Sequence, residues 1–379
     1  MSLRDLPALF MRGGTSKAVV VDIRDLPEDR AAWDAIFLAV LGSPDPNGRQ
    51  LDGMGGGISS LSKVCVLGPP SRPDADVDYT FAQVAIRDAT VDYGGNCGNM
   101  SAAMGPAAFE LGLLPPPDDG EAVVRVHNTN TRKVIRARFP VVDGRLDPDG
   151  TLAIDGVSGT AAPIRLEFLD PGGAKTGSLL PTGNAVDTLS LPDGREVTAS
   201  LVDAANPCVF VAAADLGKTA TEHPDAMDAD TAFMETMEAI RRAGSVAMGI
   251  TADLEAAARM PSVPKVSLVA APTDAVTLSG RVVRADEAAV IVRMLSVGQP
   301  HRAVPITGAI CLAVATRVPG SIPHAACAAP AGPLTISHPS GTILVDAEVA
   351  EDGGAPRALS GTVYRTARKL FTGTVHYRD

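Results

Sequence analysis

The chain carries one order of events twice. In its first half Lys63 opens an apolar run, residues 64–67, and Cys97-Gly98 follows 34 positions after that lysine to open a small-residue helix. In its second half Lys265 opens residues 266–270, and 42 positions later Thr307-Gly308 opens an apolar helix over 309–317. Two matched events in the same order point to a duplicated fold. A cleft between two like halves is then the natural place for a ligand. A length of 379 residues fits two domains of ordinary size.

Around these landmarks the periodicity alternates between strand and helix. Residues 8–22 read as strand, glycine turn and strand. Residues 31–41 place Ala32, Ile36, Phe37 and Val40 on one helical face. A glycine-rich loop at 53–57 leads through Ser59, Ser60 and Ser62 to Lys63. Strand-like runs occupy 78–92, a helix covers 100–113 despite Pro106, and strands follow at 123–142 and 164–168. The second half gives a strand pair within 197–213, helices at 231–243 and within 245–260, and strands within 276–283.

Composition then excludes several classes of function. Thirty-seven glycines and 30 prolines with 4% aromatic residues suit short strands and tight turns and leave no aromatic ligand platform. The net charge of −11, with Lys and Arg dispersed, argues against a nucleic-acid or anionic-membrane partner. The five cysteines are widely spaced, without a CxxC pair, so neither a disulfide scaffold nor a metal site is expected. No apolar run reaches the eighteen residues of a membrane span. The opening MSLRDLPALF also carries charge where a signal peptide needs apolar residues, so a cytoplasmic protein is expected. A homodimer is compatible with this sequence but not legible in it.

Within the loops, Asn96-Cys97-Gly98-Asn99 stands where a chain enters a helix. Glycines permit the turn, free N–H groups at a helix start attract anions, and the helix dipole favours a thiolate there. Lys63 lies between Gly/Ser-rich and apolar sequence, where a surface charge and a pocket amine able to act as a base fit equally. Arg12–Lys17 (RGGTSK) combines a glycine turn with hydroxyl and cationic donors suited to a carboxylate. It lacks the spacing of a Walker A loop, and Gly53–Gly57 lacks the strand and helix of a dinucleotide-binding turn. His338–Gly341 reads either as a binding turn or as a plain β-turn.

Seven segments, taken together, resemble the PrpF family of 2-methylaconitate isomerases, methylitaconate isomerases and 4-oxalomesaconate tautomerases. They are MRGGTSK at 11–17, GSPDPNGRQLDGMGG at 42–56, SSLSK at 59–63, GNCGNMSAA at 95–103, PTGN at 181–184, TGA at 307–309 and HPSG at 338–341. The resemblance runs nearly end to end. It implies an α+β, diaminopimelate-epimerase-like fold. Two pseudo-symmetric domains, each a β-barrel-like sheet wrapped round a central helix, would place the active site in the interdomain cleft. The first domain is expected over 1–185, with 365–379 as a candidate completing segment, and the second over 186–364.

The same resemblance places the catalytic pair on Lys63 and Cys97. It places carboxylate-binding groups around Ser16, Lys17, Ser60, Asn96, Gly98, Asn99, Thr182, Asn184, Lys265, Thr307, Ser340 and Gly341. No metal and no cofactor are implied, and the partner is a small carboxylic acid. The SSLSK segment looks closer to the 2-methylaconitate branch than to the oxalomesaconate branch, whereas Tyr93 and residues 127–131 depart from that branch. Oxalomesaconate, methylitaconate and aconitate therefore stay open as substrates. Racemases of this fold carry a thiol on each face of the substrate, and here Thr307 opens the second helix, with Cys311 a turn further on. That disfavours an epimerase, and the presence of both Lys63 and Cys97 disfavours a non-catalytic carboxylate-binding protein.

Overall fold

The structure, a computed structural model, describes residues 3–329 and 331–378. The chain forms two compact units, residues 3–167 with 364–378, and residues 168–363. The first boundary lies earlier than the expected 185, for a hydrogen-bonding reason. Gly173 N–H donates to the Asp203 carbonyl, Asp203 N–H to the Leu179 carbonyl and Ala205 N–H to the Pro171 carbonyl. The N–H groups of Lys175 and Thr176 also donate to the Asp203 carboxylate, at 2.8 and 2.7 Å. Residues 168–185 are thereby laced to the second unit.

In the first unit, Leu3–Gly13 and Ser16–Asp22 form a hairpin. Ser16–Asp22 runs parallel to Lys63–Gly68, which is antiparallel to Val77–Val84. That strand runs parallel to Gly120–Asn128, which is antiparallel to Lys133–Val142. Ala367–Arg378 closes along Leu3–Gly13. Lys133–Val142 alternates buried and less buried residues, as a strand with one wet face should. All six residues of Lys63–Gly68 are buried, so both of its faces are covered. Val64 and Val66 pack with Trp33, Phe37 and Val40 of helix Trp33–Leu41. Because side chains alternate along a strand, Lys63 and Cys65 face the other way.

Helix Gly98–Glu110 packs against the strands of this unit, and every residue from Met100 to Ala108 is buried. A helix covered all round is central rather than superficial. Its small residues make that fit: a Cβ on Gly105 would lie 2.7 Å from the Phe139 ring.

The second unit starts from a hairpin of Glu196–Ala204 and Asn206–Ala212. Asn206–Ala212 runs parallel to Lys265–Ala270, which is antiparallel to Val290–Ser296. That strand runs parallel to Leu334–His338, which is antiparallel to Gly341–Asp352. Helix Ile306–Thr316, buried from Gly308 to Thr316, packs on three of this unit's strands. Helix Thr231–Ala247 covers an outer face, its start capped by Asp230 accepting from Phe233 N–H. Both units are thus α+β, with mixed sheets and central helices.

The sequence reading missed Leu334–His338 and the long strands Gly341–Asp352, Ala355–Arg365 and Ala367–Arg378. Ala367–Arg378 is mostly exposed, so it shows no apolar period, and its pairing partner lies at the other end of the chain. Among the described residues no helix is long and apolar enough to cross a membrane.

Candidate active site

In the first unit, Lys63 is 7% exposed, at the first position of its strand. Its Nζ donates to Gln83 Oε1 at 2.5 Å and lies 5.0 Å from the Phe81 ring centroid. Gln83 is the residue directly opposite on the antiparallel neighbour, so register puts the amide there. The Gln83 amide nitrogen donates to the Ser59 and Ser62 carbonyls, which holds its oxygen toward the lysine. Cys65, on the same face as Lys63, is fully buried, and burial pushes its thiol pKa up. The helix that Cys97 caps packs on the strand that Lys63 opens.

Cys97 is the N-cap of helix Gly98–Glu110, in extended backbone, and makes no side-chain cap hydrogen bond. Its carbonyl accepts from Ser101 N–H and from Ser101 Oγ, and Asn96 Oδ1 accepts from the same hydroxyl at 3.2 Å. A helix start without a side-chain cap leaves N–H groups for an external acceptor, and an anion suits them.

The turn Gly13-Gly14-Thr15 lies against this helix start. A Cβ on Gly13 would sit 2.6 Å from the Asn99 carbonyl oxygen, and one on Gly14, at φ +50°, 2.2 Å from Asn99 Oδ1. Only glycine lets the two backbones approach so closely. Asn99 Nδ2 donates to Thr15 Oγ1 at 3.1 Å. Ser16 is buried where the next strand begins, and Lys17 Nζ lies 5.5 Å from the Phe10 ring. Ser60 lies in the short turn Ser59–Leu61, which packs at strand Ser16–Asp22. Arg12, by contrast, donates to the Gly14 carbonyl and to both oxygens of Thr366, so its guanidinium holds the turn.

Sequence reasoning missed Arg365. Its Nε donates to Asn99 Oδ1 at 3.2 Å and its NH1 to the Tyr364 carbonyl at 2.9 Å, both neutral acceptors. Burial lowers its pKa to about 10. No local pattern marks it, because it reaches the helix start from 266 positions away.

In the second unit, Lys265 is half-buried, and burial lowers its pKa. Its Nζ donates to Ser296 Oγ at 3.3 Å. Helix Ile306–Thr316 also starts without a side-chain cap. A Cβ on Gly308 would be 3.8 Å from Lys265 Cδ, so the lysine stem passes beside the turn that carries Thr307. Cys311 is fully buried, its thiol turned to the Val202 carbonyl at 3.4 Å, which makes it a core residue.

The other second-unit candidates are engaged within their own unit. Thr182 Oγ1 and Asn184 Nδ2 both donate to the Asp187 carboxylate, at 2.7 and 2.9 Å. Ser340 Oγ donates to the Arg302 carbonyl at 2.6 Å, and its N–H to His338 Nδ1. His338 and Gly341 are paired in register, so Pro339-Ser340 is a two-residue hairpin turn. Among the described residues no hydrogen bond links these groups to Lys265. A cavity of about 590 Å³ in the first unit, lined by Ser43, Asp45, Arg49 and His376 among others, touches none of the candidates. Among the described residues no group of three His, Cys, Asp or Glu is placed to hold a metal ion.

Comparison with known proteins gives a consistent neighbourhood. The family model described as "PrpF protein" matches residues 3–378. The chain is 39% identical to the 2-methyl-aconitate isomerase of Cupriavidus necator, over 98% of this chain and 96% of that one. It is 41% identical to the (4E)-oxalomesaconate Delta-isomerase of Novosphingobium sp. (strain KA1), over 97% of this chain and 96% of that one. The crystal structure of a methylitaconate-delta-isomerase matches with a TM-score of 0.90 at 38% identity, covering 100% of this chain and 96% of the other.

Proposed function

The chain belongs to the PrpF protein family, and from that premise we propose that it moves a proton within a small unsaturated di- or tricarboxylic acid, most plainly one of the 2-methylaconitate type. It is an isomerase. The observation that supports the proton-transfer reading is the packing of one helix on one strand, which brings together a buried amine at the strand's start and an uncapped helix start bearing a thiol.

In this reading the Lys63 amine takes a proton from the carbon next to the alkene. The electron pair left behind spreads through the conjugated carboxylate as a dienolate, so the substrate itself supplies the electron sink and no cofactor is called for. Free N–H groups at the helix start, with the donors of Asn99, stabilise the developing negative charge. The Cys97 thiol returns a proton at another carbon, or at the same carbon after rotation; the Lys63 ammonium then gives its proton to water and the Cys97 thiolate takes one from it, which resets both groups. Lys265 and Thr307 bind a substrate carboxylate. Asp187 already occupies Thr182 and Asn184, so those two rank lower as substrate contacts.

We also read the two units as copies of one plan. Each runs as hairpin, parallel, antiparallel, parallel and antiparallel neighbours, and each surrounds a helix whose start lies near a strand-opening lysine. Burial of Cys311 in the core and Thr307 at the helix start weigh against a two-thiol racemase.

The test is proton NMR of the purified protein in D₂O with 2-methylaconitate, methylitaconate, aconitate and 4-oxalomesaconate in turn. Isomerisation of one acid with deuterium entering at the migrating position is the expected result and names the substrate. Absence of isomerisation and exchange with every acid would overturn the reading.

A further inference from the structure

Beyond Lys265 the second unit holds a partly buried hydrogen-bonded chain that the reaction outlined above does not use. Ser296 ends strand Val290–Ser296 and is buried. Its hydroxyl lies 2.7 Å from His301 Nε2 and 3.3 Å from Lys265 Nζ. The backbone N–H of His301 donates to the Met294 carbonyl, which holds the residue beside the same strand. Burial, and then the charge of Lys265, bring the His301 pKa down to about 4. The ring is therefore neutral near pH 7.

The ammonium fixes the direction of the first bond: it has only donors, so Ser296 Oγ accepts from Lys265. In the tautomer that carries the ring proton on Nδ1, the serine O–H donates to His301 Nε2. Among the described residues, the groups facing Lys265 are Cys208, paired with it on the parallel strand, Ser296 and His301 from the antiparallel side, and Gly308 at the helix start. None is a carboxylate, so the ammonium keeps hydrogens and charge for an anion.

We propose that Ser296 and His301 are positioning residues that keep Lys265 protonated and aimed as the carboxylate anchor of the second unit. The proposal rests on the isomerase reading for the anchor role of Lys265 and for the identity of the anion. Its immediate consequence is a binding step that weakens as pH rises through the titration of Lys265.

The experiment is a pH titration of the full chain carrying [ε-¹³C]lysine, followed by NMR, with Lys265→Arg identifying the resonance. In Ser296→Ala the Lys265 amine loses an acceptor for its charged form. It is expected to release its proton about one pH unit lower than in the native chain, with Ser296→Thr restoring the native midpoint. His301→Leu removes the acceptor that orients the serine and is expected to move Lys265 the same way by less. It carries the test should Ser296→Ala fail to fold.

His301→Leu has a second readout. Between about pH 4 and 6.5 the unfolded imidazole holds a proton that the folded one has released, so native stability rises with pH across that window. The variant lacks that slope. A Lys265 midpoint unchanged in both Ser296→Ala and His301→Leu overturns the proposal. Neither readout uses turnover, so failure of the acid panel and failure of this proposal are told apart.

Discussion

Lys63 and Lys265 each open a strand, and each donates to a side chain on the antiparallel neighbour of that strand, yet their surroundings differ in kind. Lys63 is buried and meets an amide oxygen and an aromatic face. The amide is itself anchored by two backbone carbonyls. Lys265 is half-buried and meets a hydroxyl that leads on to an imidazole. The helix start near Lys63 carries a thiol, and the one near Lys265 a threonine. A thiol can give and take protons near neutrality, whereas a threonine hydroxyl can only donate or accept hydrogen bonds. In our reading of the units as copies of one plan, matching places carry different side chains: Lys63 and Cys97 serve to move a proton, and Lys265 and Thr307 to hold a carboxylate.

The division is broken most easily at the two helix starts. Cys97→Ala is expected to lower kcat by about 10²-fold or more, the range for a lost general acid. Thr307→Ala should leave kcat near native and raise KM by roughly 2- to 10-fold, as for one hydrogen bond. Steady-state kinetics on the acid identified in D₂O checks both, and equal losses of kcat would erase the distinction.

A smaller effect, on stability, sharpens the same contrast. Gly13 meets backbone: an added Cβ would lie 2.6 Å from the Asn99 carbonyl oxygen and 3.0 Å from Met100 Cα. Gly308 meets the flexible end of Met294, at 2.3 Å from Sδ and 2.7 Å from Cε. Urea unfolding should therefore show Gly13→Ala less stable by about 1–3 kcal/mol, since neither backbone can yield. Gly308→Ala should cost about 1 kcal/mol or less, since a methionine can rotate away. The reverse order would mean that the first turn is not locked to its helix.

Much of this was legible in the chain, and the misses share a cause. Lys63, Cys97, Lys265 and Thr307 stood out because each sits where an apolar period begins, and the elements fall there. The apolar helices were readable because burial all round leaves an unmistakable composition. Gln83, Ser296, His301 and Arg365 were not, because each acts across a strand register or from a distant segment. Asp187 lay only a few residues past PTGN, but nothing in the pattern told that its carboxylate takes both donors. Exposed pairing, as in Ala367–Arg378, leaves no apolar alternation to read.

Where the substrate proton goes decides most directly between the two lysines. Deuterium wash-in from D₂O into the acid should be compared in native protein, Lys63→Ala and Lys265→Ala, each at saturating acid. Lys63→Ala is expected to lose about 10²- to 10⁴-fold in exchange rate, while Lys265→Ala keeps the rate within about tenfold and needs more acid to saturate. Native exchange in Lys63→Ala, or abolished exchange in a folded and saturated Lys265→Ala, would contradict the division of labour between the two lysines.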